Sequence, residues 1–111
     1  MLLLFMMLST PAFAAMECDT TTEDAIKTAI ADNPTKLVRV LAGQDLAGFL
    51  SALTANGYLI GTLENVDHIY IVDAGKRPGY TSDNVWLFFV QEGCLIRAIP
   101  ASKSVVVAML P

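Results

Sequence analysis

Apolar side chains recur at helical spacing early in the chain and at alternating spacing later. Ala25, Ile26, Ala29 and Ile30 form one face of a helix. Thr20-Thr21-Thr22-Glu23 ahead of them reads as a capping box, in which a threonine hydroxyl accepts from the N3 amide and the glutamate reaches back. Glu23 and Asp24 suit the positive end of the helix dipole, and Asn33-Pro34 stops the helix because proline disfavours helical geometry in the residue before it. The first helix is therefore predicted over about Thr21–Asp32. Lys36–Leu41 is short and rich in branched residues, which predicts a strand. Ala42-Gly43-Gln44-Asp45 is a turn, with Asp45 able to cap a second helix through Leu46, Phe49, Leu50 and Leu53. Asn56-Gly57 supplies a left-handed stop for that helix.

The rest reads as strand. Tyr58–Leu63 is one candidate. Asp67–Val72 alternates, with His68, Tyr70 and Val72 on one side and Ile69 and Ile71 on the other. A long connection, Asp73–Asn84, follows. Val85–Gln91 and Cys94–Ile99 flank Glu92-Gly93, a two-residue hairpin turn. Pro100–Ser102 interrupts the pattern. The valine run of Ser104–Leu110 favours a strand, with a short helix after the proline and serine as the alternative. The predicted fold is α+β: two helices packed on one face of a mostly antiparallel sheet of four to five strands.

The first fifteen residues, MLLLFMMLSTPAFAA, do not fit this domain. Leu2 to Leu8 form an apolar run too short to span a bilayer. Ala12-Phe13-Ala14 places small residues where a signal peptidase requires them, so residues 1–14 are read as a cleaved secretory leader. The leader lacks lysine and arginine, and an alternative start at Met16 would leave the protein in the cytosol. With cleavage, residues 15–111 form a single domain of roughly 97 residues, enough to bury a core with little margin. Its expected location is the periplasm or the secreted medium.

The net charge of −4 belongs wholly to the mature part. Glu17, Asp19, Glu23, Asp24 and Asp32 face only Lys27 in the first stretch, which argues against nucleic acid, whose binding requires a basic stripe. No basic amphipathic stretch suggests adsorption to a membrane surface. The two cysteines, Cys18 and Cys94, allow one intramolecular pairing, and an oxidising compartment makes a structural disulfide the expected state. Redox pairs usually sit close as Cys-x-x-Cys. Zinc needs four ligands, and the other soft candidate is His68 alone.

One cysteine near the mature N-terminus and a second in Glu92-Gly93-Cys94 resemble the pattern of small exported two-cysteine bacterial proteins of unknown function. The resemblance spans most of the mature chain and implies export and a disulfide, with no activity attached.

No catalytic, metal or nucleotide motif stands out, so neither an enzyme nor a cofactor is expected. His68 could pair with Asp67, Glu64 or Asp73 as an acid–base unit, yet no Gly-x-Ser-x-Gly elbow accompanies it, and an ordinary strand histidine is the plainer reading. Strand-end aspartates routinely serve local hydrogen bonds. Lys76, Arg77 and Tyr80, in the long connection with Pro78 and Gly79, combine residue types that dominate binding hot spots. They are the expected contact with a protein partner in the envelope. Trp86 and Phe88 share one strand face and Phe89 the other, where core packing is expected. The leading expectation is thus an exported, non-enzymatic protein that binds another macromolecule. A small-molecule or lipid module, with an apolar groove lined by Trp86 and Phe49, is the alternative, and a small hydrolase using His68 the third.

Overall fold

In the computed structural model, the described residues are 18, 21–58, 65–76, 79 and 83–111. The expected leader at 1–14, most of the Tyr58–Leu63 strand, and Glu64 lie outside them. The elements run α1 (Glu23–Asp32), a 3₁₀ turn (Pro34–Lys36), β1 (Leu37–Leu41), α2 (Gly43–Ala55), β2 (His68–Lys76), β3 (Asp83–Gln91), β4 (Cys94–Ser102) and α3 (Lys103–Met109). The strands form one antiparallel sheet in chain order, β1-β2-β3-β4. The architecture is α+β.

Side-chain alternation divides the sheet into two unlike faces. Ile69, Ile71, Val85, Leu87 and Phe89 pack with Leu46, Phe49 and Leu53 of α2 and Val106 of α3 to form the main core. On the opposite face, Tyr70 and Val90 pack with Ile26 of α1, flanked by Ile30, Val72, Phe88 and Leu95. The two helices expected to share a face therefore lie on opposite faces, because the apolar set of β2 splits by parity into two surfaces that each need cover.

Local chemistry explains the boundaries. Thr22 caps α1, its side chain accepting from the Ala25 amide at 3.2 Å. Glu23 is the first helical residue, and its carboxylate accepts a hydrogen bond from the Tyr70 hydroxyl, so the capping-box reading gives way to a tertiary contact. α2 ends in a Schellman motif: Tyr58 N donates to Leu53 O, and Gly57 N to Thr54 O, with Gly57 at φ 88°. Glu92 and Gly93 both have positive φ, at 50° and 79°, which joins β3 and β4 through the expected two-residue turn. The Asp67 carboxylate accepts from the Glu92 amide at 2.6 Å and so supports that turn.

Several predicted assignments move. β2 runs on to Lys76 and β3 begins at Asp83, both inside the connection expected over Asp73–Asn84, because the two strands stay paired past a bulge at Asp73/Gly75. β4 continues through Pro100, which sits opposite Trp86. Proline is tolerated there because β4 is an edge strand, where a missing donor costs no ladder bond. The Ser104–Leu110 segment, read as a strand, is the helix α3. Only Val106 of its valine run is buried, and Val105 and Val107 face outward, a pattern set by packing rather than by β propensity.

Candidate functional site

α1 is held against the sheet at its N-terminal end by covalent and polar links. A disulfide joins Cys18 to Cys94 across a sequence separation of 76. Just beyond it, Thr21 to Glu23 lie along the start of β4: Leu95 N donates to Thr21 O at 2.8 Å, and Glu23 N to Gly93 O at 2.7 Å. The Glu23 side chain, 15% exposed, takes the Tyr70 hydroxyl hydrogen bond and lies 3.2 Å from His68 Nδ1. That second contact is an ion pair only when the imidazole is protonated, and His68 Nδ1 is buried without a hydrogen bond.

Farther along α1, a groove of about 390 Å³ lies between the helix and the strands, with the small, exposed side chains of Ala25 and Ala29 along it. Its walls are Ala25, Ile26, Ala29 and Ile30 on the helix side and Val72 and Phe88 on the sheet side. Thr21, Asn33 and Lys36 complete the lining. Val72 lies opposite Trp86, and Tyr70 opposite Phe88, in the β2–β3 register. The Trp86 and Phe88 rings stack with centroids 6.2 Å apart and planes 6° apart. Trp86 is 39% exposed, so it extends the apolar surface outward instead of entering the core as expected. Phe89, on the other face, is fully buried.

The groove expected between Trp86 and Phe49 does not form, because Phe49 is 1% exposed in the core beneath α2, across the sheet from Trp86. The residues of the α1 groove were hidden in the sequence by distance, since α1 and β3 are far apart along the chain. The usable signal was the Ala25/Ala29 pair, small residues on the apolar face of a helix whose other members, Ile26 and Ile30, are large.

Of the acidic residues expected to pair with His68, Asp67 and Asp73 have other partners. Asp67 supports the β3–β4 turn. Asp73 accepts from Gly75 N at 2.8 Å across a bulge in β2, and its other oxygen binds Lys103 Nζ at 2.8 Å. The Lys103 hydrogen bond, with that of the Gly75 amide, holds the Asp73 carboxyl below its usual range. The same bond raises the Lys103 ammonium. Lys76 closes β2 and is exposed. Arg77 and Tyr80 lie outside the described residues.

Tyr70 is 4% exposed, and burial, followed by the hydrogen bond to and the charge of Glu23, pushes its phenol well above the ordinary range. A phenol raised in the folded state contributes stability that is complete below the unfolded value near 10 and is lost as pH climbs past it. Denaturant midpoints between pH 7 and 11 should therefore fall at the alkaline end, and Tyr70→Phe should flatten that fall. At neutral pH the variant should lose about 1–3 kcal/mol, because Glu23 is left without its donor. Equal alkaline slopes for the two proteins would contradict this assignment.

Compared with known proteins, the chain matches no protein family, no curated protein and no solved structure.

Proposed function

We propose that this chain is an exported, non-enzymatic binding domain that holds a small apolar molecule between α1 and the sheet. The observation that carries this reading is the groove itself: six apolar side chains line a volume of about 390 Å³. Ligand sites run about 300–1,000 Å³ and are lined mainly by apolar side chains with a few polar groups. Export is supported by the Cys18–Cys94 disulfide, a bond that persists in oxidising compartments. It is also compatible with the fact that, among the described residues, no helix is long and apolar enough to cross a membrane. A macromolecular partner meeting Lys76, Arg77 and Tyr80 is a second proposal, supported by the exposure of Lys76 and by the apolar surface that Val40 and Trp86 leave uncovered.

Trp86 is the sole tryptophan and stacks on a groove-lining ring, so its fluorescence reports occupancy. Decanol should shift it saturably. Ala25→Leu with Ala29→Leu fills the groove with residues that favour a helix nearly as well as alanine, and should weaken decanol at least tenfold with the melting temperature unchanged or raised. The same decanol response in both proteins would rule the groove out.

A further inference from the structure

We infer that the ligand of the α1 groove is a single alkyl chain ending in a carboxylate, with Lys36 receiving the head group. This rests on the groove reading and adds the chemistry of the ligand.

Two features of the lining select this class. The first is size. At about 390 Å³ the groove lies near the lower end of the range for small-molecule sites. It suits one chain, where a two-tailed lipid would require more volume. Its walls are aliphatic along α1, and only Phe88 contributes a ring. A flexible chain can follow Ala25, Ala29, Ile30 and Val72, whereas a flat fused-ring ligand would need facing planes that the helix side does not offer.

The second feature is charge. Lys36 is the one charged residue in the lining, and no aspartate or glutamate is part of it. Lys36 is exposed, and among the described residues its ammonium forms no ion pair. The carboxylate Asp73 feels its field but is bonded to Lys103. Lys36 closes the 3₁₀ turn that follows α1, so it stands at the end of the apolar channel rather than within it. A ligand of matching polarity has an apolar body along α1 and a negative end at that turn. One ammonium balances one charge, which favours a monoanionic carboxylate over a phosphate dianion, the kind of group that usually draws arginine forks or several cations.

The test compares decanoate, decanol and decyl phosphate on the oxidised full chain, by calorimetry and Trp86 fluorescence at neutral pH. Decanoate should bind about fivefold tighter than decanol, the upper scale of an ion pair with an exposed ammonium. Lys36→Met should abolish that difference, read as the ratio of decanoate to decanol affinity within the variant itself, with the melting temperature unchanged. Within the carboxylates, each added methylene should tighten binding roughly fourfold until the groove is full. Equal affinity for decanoate and decanol, or a preference that survives in Lys36→Met, overturns the head-group assignment and leaves the groove standing. Tighter binding of decyl phosphate overturns the choice of a monoanion. No binding of any of the three overturns the groove and this inference together.

Discussion

Replacing both Cys18 and Cys94 with serine should lower the unfolding free energy by about 4 kcal/mol, the chain-entropy value for closing a loop of this length. For a domain of this size, each kcal/mol shifts the melting temperature by about 4–8 °C, so the variant should melt roughly 15–30 °C lower. The loss is a large share of the ~5–15 kcal/mol that holds a typical domain together. The physical reason reaches beyond the unfolded chain. The disulfide fixes the strand-like contact of Thr21 to Glu23 with β4, and that contact seats Glu23 beneath Tyr70. Without it α1 keeps only a modest apolar face, of which Ile26 alone is buried. The groove wall should therefore loosen with the fold, and decanol affinity should fall in the double-serine protein even where most molecules remain folded. Guanidinium midpoints with and without reductant measure the first effect. A reduced protein as stable as the oxidised one would show that the polar and apolar contacts of α1 suffice.

Truncating Phe49 to alanine should cost about 3–5 kcal/mol, the range for removing a large buried aromatic. Phe49 is 1% exposed among Leu41, Leu46, Leu53 and the inner face of the sheet. The informative part is what should stay the same. Phe49 lies across the sheet from α1, so the folded fraction of Phe49→Ala should bind decanol as the parent does. Urea midpoints and fluorescence titrations on one sample separate the two effects. A binding defect out of proportion to the folded fraction would mean that the two faces are coupled through the strands.

Much of this architecture was legible in the residue pattern. The alternation of Asp67–Val72 assigned Tyr70 and Val72 to one side and Ile69 and Ile71 to the other, and the two clusters follow that split. Glu92-Gly93 declared its turn through local backbone chemistry. What failed was decided by partners distant in sequence. Val105 to Val107 look like strand because β-branched residues suit a pleated surface, yet only Val106 meets the core, and a helical turn presents it there. Glu23 looked like a reciprocal cap, but Tyr70, 47 residues away, holds its carboxylate. The candidate site was the least legible part. A groove is a shortage of atoms between two elements, and it emerges only when the small side chains of α1 are set against Val72 and Phe88.

The position of the staple also governs the order in which the molecule matures. Cys18 emerges early during synthesis, whereas its mate arrives only after β1, β2 and β3 have been made. The thiol must stay unspent through that interval, and the wall helix cannot be locked before the last hairpin exists. Fixing of α1 against the sheet is thus a late event, set by the pairing of the two thiols rather than by formation of the sheet alone.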